Sequence, residues 1–182
     1  MSKIAVFFGE GFEEIEALTV VDMCRRAGIE VQMVSITGKD VVTGAHAIPV
    51  GMDVQFEEVD FASLDMLVLP GGMPGTRNLE AHTGLMEQVD AFYAAGKYLA
   101  AICAAPSVFG HRGILKGRNA CCFPGFEKDL EGANVTTNRV TCDEHIITSR
   151  GMGTAMDFAL TIVALFCGDE VATQKSKGIL YE

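Results

Sequence analysis

The chain has 182 residues, 49% of them hydrophobic, enough for one full core and short for two conventional domains, so a single domain over 1–182 is expected. Its 14 Lys and Arg against 24 Asp and Glu give a formal charge of -10, which argues against a nucleic-acid surface but leaves room for a local cationic pocket. No basic segment followed by an apolar one opens the sequence, no apolar run reaches membrane-spanning length, and the six cysteines fall mostly inside predicted elements; these features point to the cytoplasm, reduced thiols and no membrane partner.

In chain order, Ile4 to Phe8 is almost continuously apolar, as a central parallel strand covered on both faces must be. Gly9, Gly11 and Phe12 make a loop, and a helix runs from Glu13 to Ala27, with Gly28 ending it. Arg25 and Arg26 read as a solvated helix end favoured by the dipole. Glu30 to Ile36 is a second strand; Val41 to Val54, broken by Gly44, Pro49 and Gly51, reads as short strands in an appended hairpin. Asp65 to Leu69 returns to the buried-strand pattern and stops at Pro70-Gly71-Gly72. A helix over Leu79 to Ala95 is closed by Gly96, and Lys97 to Ile102 is a strand feeding Cys103 and a helix over Ala105 to His111. Asn119 to Phe123 and Asn134 to Thr137 are candidate strands around a small helical excursion at Gly125 to Leu130. Arg139 to Asp143 and His145 to Thr148 form an antiparallel edge; Thr154 caps an apolar helix through Phe166, and Glu170 to Lys175 is a short last helix. This recurrence predicts an α/β fold: a doubly wound, mostly parallel sheet with helices on both faces and a small antiparallel edge.

The chemistry concentrates at Cys103. A nucleophile fits a sharp strand-to-helix turn only where close neighbours are small, and Ala101 and Ala105 flank it on either side. The N–H groups of the following helix would favour a thiolate, and Pro106 suits its first turn. The plain alternative is a small buried hydrophobe. In a parallel sheet the loops after the first strand, Leu69 and Ile102 converge, bringing together Glu13 or Glu14, Gly71-Gly72 and Cys103. A glutamate aimed at sulfur can donate or accept a proton, and side-chain-free glycines leave N–H groups to hold an oxyanion; the alternatives are an acidic first helical turn and an ordinary turn. None of the four histidines adjoins Cys103, and Cys142 with His145 lacks a second ligand pair, so no metal site is expected.

Glu14 within Glu13-Glu14-Ile15-Glu16, Arg25-Arg26-Ala27-Gly28, Leu67-Val68-Leu69-Pro70-Gly71-Gly72, Ala101-Ile102-Cys103-Ala104-Ala105-Pro106, and Thr148-Ser149-Arg150-Gly151 with Gly153-Thr154 occur in an order that resembles the DJ-1/PfpI superfamily over essentially the whole chain. The likeness is strongest to its DJ-1 or bacterial YajL-like (ThiJ-type) branch. The resemblance implies a flavodoxin-like fold and a homodimer whose first helices meet close to the site. It makes Cys103 the oxidation-prone nucleophile, Glu14 its hydrogen-bonded carboxylic acid, and Gly71, Gly72 and Ala104 the backbone pocket, with Arg26, His46, Phe123 and Arg150 as pocket or dimer-side positions. Three positions depart from it: Phe123 stands where some members carry histidine, Ala104 where the peptidases carry histidine, and Met152 where proline is common.

The implied activity is that of a glutathione-independent glyoxalase or deglycase-like enzyme acting on methylglyoxal or related α-oxoaldehyde adducts without a cofactor. In that chemistry the Cys103 thiolate adds to the aldehyde, Gly72 and the turn hold the oxyanion, and Glu14 shuttles a proton through an enediol. The alternatives are a redox-responsive protein with a chaperone-like protective role under oxidative stress, and a weak esterase, peptidase or amidase.

Overall fold

Alternation along the central strands sets the layers. In β1 (Lys3–Phe8), Ile4, Val6 and Phe8 enter one hydrophobic cluster while Ala5 and Phe7 enter another on the opposite face of the sheet. The computed structural model describes residues 2–181. After β1 come α1 (Glu14–Arg26), β2 (Glu30–Ser35), β3 (Val41–Thr43), β4 (Pro49–Gly51), β5 (Val54–Gln55), β6 (Met66–Leu69), α2 (Gly75–Ala81), α3 (Thr83–Ala94) and β7 (Tyr98–Ile102). The second half contains α4 (Pro106–His111), β8 (Asn119–Ala120), β9 (Asn134–Val135), β10 (Val140–Asp143), β11 (Ile146–Ser149), α5 (Ala155–Cys167) and α6 (Asp169–Gly178).

One seven-stranded sheet has the order β10-β11-β7-β6-β1-β2-β5, parallel throughout except for the antiparallel β10–β11 edge. Residues of α1 and α5 fill the cluster on one face; α2, α3 and α4 supply the other. The chain leaves β1 toward β2 on one side and returns through β6, β7 and β11 on the other, so the carboxyl ends of β1, β6 and β7 border the crevice where this architecture places its chemistry. No helix among the described residues is long and apolar enough to cross a membrane.

Three sequence expectations change. The helix expected over Leu79 to Ala95 is two helices, because His82 leaves helical geometry and its Nδ1 accepts the Leu85 N–H at 3.0 Å, acting as the N-cap of α3. The strands expected over Asn119 to Phe123 and Asn134 to Thr137 shorten to β8 and β9, which pair in parallel with each other outside the main sheet. Thr154 precedes α5 without capping it; its hydroxyl accepts the Arg150 and Gly151 N–H groups at 3.2 and 3.1 Å and meets Ser149 Oγ at 2.7 Å, bracing the loop after β11.

That loop faces the segment after β8, which is held from beneath by α4. A Cβ on Gly110 of α4 would run into the Asp129 carbonyl and come within 2.8 Å of Leu130 Cα. Gly110→Ala should therefore lose stability: the roughly 1 kcal/mol gained in helix propensity is outweighed by overpacking of about 1–3 kcal/mol. Urea unfolding with an unchanged or raised midpoint would contradict that packing.

Candidate active site

Cys103 follows β7 at φ 65, a left-handed conformation costing a non-glycine residue on the order of 1–2 kcal/mol. The surroundings hold it there. Its N–H donates to Ser149 O at 3.0 Å, and its carbonyl accepts from the Phe123 N–H at 2.8 Å, so β11 and the post-β8 segment clamp the turn from two sides. The bend leaves the sulfur half-buried at the carboxyl edge of the sheet.

Gly71 makes room for it. A Cβ there would stand 2.5 Å from Cys103 Cβ and 2.6 Å from Glu16 Oε2. Gly72, at φ 90, would place one against the Glu13 N–H. The Gly71 N–H donates to Glu16 Oε2 at 2.9 Å, and the backbone N–H groups of Gly72 and Ala104 point at the Cys103 sulfur, favouring its charged form against burial. The glycine pair and Ala104 thus sit where the sequence places them.

The carboxylate beside the thiol belongs to Glu16, not Glu14. Glu16 is 1% exposed and its carboxyl faces Cys103. Glu14, two residues away, points about 200° around the helix and is engaged elsewhere. Its Oε1 accepts the His46 N–H at 2.8 Å and its Oε2 meets His46 Nδ1 at 2.8 Å. The partner role expected of Glu14 therefore passes to Glu16 on helical geometry. The signal was present: Glu16 shares a helix face with Val20 and Met23, both buried.

Desolvation dominates the titration of the pair. Burial pushes Glu16 up to about 7, against the pull of the Cys103 and Gly71 hydrogen bonds. Burial, together with the charge of ionised Glu16, pushes the Cys103 thiol up to about 12, against the N–H groups of Gly72 and Ala104. The expected lowering of the thiol by the following helix is overcome, since α4 is only six residues long and supplies little field against burial. Thiolate arises here when Glu16 holds the shared proton, so the acid and nucleophile forms appear together.

Of the remaining expected positions, Phe123 is 46% exposed, its amide on Cys103 and its ring 3.1 Å from where a Cβ on Gly151 would sit. Arg150 is half-buried beside it, its Nε directed at Cys122 O, 3.5 Å away. His46 joins Glu14 and Glu13 away from the thiol. Within one chain Arg26 lies away from the thiol: ten residues beyond Glu16, about 15 Å along the helix, it pairs with Asp22 at 2.7 Å. His111 is bonded to Glu80, and His145 lies against Tyr93. Glu13, Glu14 and His46 offer donor atoms within 4.8 Å of one another, but His46 itself supplies positive charge to the carboxylates, so their proximity needs no ion.

The raised Glu16 pKa has a sign for stability. Its ordinary value is 4.5, so the contribution of this group to stability is fully present below that pH and is lost as pH rises through about 7, where a buried carboxylate must ionise. Glu16→Gln should match the wild type near pH 4 and exceed it at pH 8 by about 3 kcal/mol. Parallel stability curves for the two proteins, from urea unfolding across that range, would show that Glu16 is not a buried acid.

A family model described as the DJ-1/PfpI family matches residues 2–165. DJ-1 homologs B and A of Arabidopsis thaliana are 35% and 36% identical, covering 96% and 98% of this chain, which spans only 40% and 46% of their own lengths. A protein named as a deglycase from Pyrococcus abyssi is 30% identical over 153 residues, 83% of this chain and 91% of its own. The crystal structure of a mutant DJ-1 superfamily protein from Salmonella typhimurium superposes with a TM-score of 0.95 at 34% identity, covering 100% of both chains.

Proposed function

Because this chain belongs to the DJ-1/PfpI family, we propose that it is a cysteine-dependent enzyme of the deglycase and glyoxalase type, converting α-oxoaldehydes such as methylglyoxal, or their early adducts, to hydroxy acids. The observation that carries this reading is the buried Glu16 carboxyl set against the half-exposed Cys103 thiol. The deglycase name of the Pyrococcus relative supports the substrate class.

The chemistry needs a nucleophile and one acid that works in both directions. Cys103 thiolate adds to the aldehyde carbon, and the alkoxide takes the proton of Glu16, giving a hemithioacetal. The N–H groups of Gly72 and Ala104, which point at the sulfur, lie close to where that oxygen develops charge. Glu16, now ionised, takes the proton from the former aldehyde carbon and passes it to the neighbouring carbonyl oxygen, giving an enediol; it then takes the proton of the other hydroxyl and delivers it to the neighbouring carbon, leaving a thioester. Water cleaves the thioester, releasing the hydroxy acid and the thiol. Every proton passes through Glu16, and electrons move within the substrate, so the sequence balances without an external oxidant.

A redox-protective role uses the same features, since a thiolate paired with a carboxylic acid is also the form that peroxide oxidises. The peptidase reading loses support because His46, His82 and His111 are each engaged away from Cys103. A homodimer is part of this proposal. Ile15, Ile48, Met73 and Met152, each within two residues of Glu14, His46, Gly72 or Gly151, and Phe123 are exposed by 40–58%, and the proposal assigns them to the face that a second copy covers.

Hydroxy-acid release from methylglyoxal should vanish in Cys103→Ala and fall about a hundredfold or more in Glu16→Gln, while Glu14→Gln retains most activity. Equal rates in wild type and Cys103→Ala would end the enzyme reading; equal rates in wild type and Glu16→Gln would end the proton shuttle. Light scattering should give a dimer for the wild type and a smaller species for Ile15→Glu, and a monomeric wild type would remove the dimer from the proposal.

A further inference from the structure

Beside the Glu16–Cys103 pair lies a second charged cluster, formed by Glu13, Glu14 and His46, that takes no part in the proposed reaction. We propose that His46 is a positioning residue for the cysteine: as imidazolium it offsets the charge of Glu13, and so governs how readily Glu16 releases the proton it shares with Cys103. The inference rests on the same acid–thiol pair as the proposed reaction and adds a control over it.

Glu14 is the anchor. Both of its oxygens are taken up by His46, one by the backbone N–H and one by Nδ1, each at 2.8 Å. Glu14 is buried, and the carboxyl fits only because residue 44 is glycine, where a Cβ would overlap it. The β3–β4 hairpin carrying His46 is tied to the loop before α1: the Gly11 N–H donates to Thr43 O, and the Ala45 N–H to Phe12 O, both at 2.8 Å. The imidazole is thus fixed at its base while, within one chain, its side chain stays 66% exposed.

From that position it faces Glu13, with Nδ1 3.6 Å from Oε2. Glu13 is coupled in turn to the thiol pocket. Its N–H donates to Gly71 O at 2.9 Å, the Gly71 N–H donates to Glu16 Oε2 at 2.9 Å, and the negative charge of Glu13 opposes ionisation of Glu16. Among the described residues, the charged groups facing His46 are Glu13 and Glu14, and the titratable groups facing Glu16 are Cys103 and Glu13. The Arg150 side chain, on the loop that packs Gly151 toward Glu16, is directed at Cys122 instead.

The sign follows from charge. Glu14 and Glu13 raise the pKa of His46 above its ordinary 6.5, which favours the imidazolium. Removing it leaves Glu13 unopposed, and Glu16 keeps its proton to higher pH. Neutralising Glu13 does the reverse. A unit charge held several ångströms away, in a solvent-rich effective dielectric of about 60, moves a titration by roughly half a pH unit.

The test is alkylation of Cys103 by iodoacetamide as a function of pH, read by mass spectrometry of the Cys103 peptide so that exposed Cys142 does not interfere. His46→Ala should raise the midpoint by roughly half a unit, Glu13→Gln should lower it similarly, and His46→Lys, a permanent cation, should stay at the wild-type value. The shifts should shrink in 1 M salt, where screening is confined to about 3 Å. Equal midpoints in wild type and His46→Ala would overturn the proposal, as would an upward shift shared by His46→Lys, which would mark loss of the hairpin anchor rather than of charge. No aldehyde is used, so failure of hydroxy-acid production leaves this result readable. Conversely, unchanged midpoints with normal turnover would remove His46 alone.

Discussion

A carboxyl and a thiol buried side by side cannot both be charged without a large desolvation penalty, and much of this structure is arranged around that constraint. Glu16 and Cys103 are each pushed upward by burial, Glu16 to about 7, so near neutrality the pair sheds one proton far more readily than two. Whichever group holds the proton left over defines the chemical state. With the proton on Glu16, the sulfur is a nucleophile beside an acid able to protonate the oxygen formed by its attack. With the proton on sulfur, the site is a base beside a thiol. A fully solvated cysteine would lack the adjacent acid, and a sealed one would lack access; a half-buried sulfur facing a 1% exposed carboxyl meets both needs.

The fold brings this about through backbone, more than through side chains. The left-handed turn at Cys103 ends the strand with the residue packed only against the margin of the α1/α5 layer and still half-exposed, and hydrogen bonds to Ser149 and Phe123 hold the strain. Gly71 lets β6 end against that turn closely enough for its N–H to reach Glu16. The site is therefore assembled from the ends of β6 and β7, the first turn of α1, and the loop after β11. Their mutual position is set by the parallel register of the sheet, Leu69 beside Ala101 and Ser149 beside Ile102.

Strands buried on both faces were the most legible part of the sequence, because runs such as Ile4 to Phe8 and Met66 to Leu69 admit few other placements. The cysteine turn was legible for a related reason: small neighbours around Cys103 have a steric use that is hard to assign otherwise. What escaped were features fixed by direction within an element. The run Glu13-Glu14-Ile15-Glu16 shows that acids open α1, but which one meets sulfur depends on the helical phase relative to a loop far along the chain. Likewise, the break at His82 is made by one side-chain hydrogen bond that periodicity does not encode, and the thiol's environment depends on burial that no local motif reports.

That helical phase also explains why three acids can crowd one turn without equal consequence. The positive end of α1 favours negative charge at Glu13, Glu14 and Glu16 alike, so the dipole does not distinguish them. Neighbours do. Glu14 receives two hydrogen bonds from His46 and is lowered, despite burial, to a stable carboxylate. Glu16 receives one N–H from Gly71 and a thiol, too little to offset desolvation, and it becomes the group that titrates near neutrality. The difference in hydrogen-bond supply, acting on side chains of the same type two residues apart, turns one glutamate into an anchor and the other into a proton carrier.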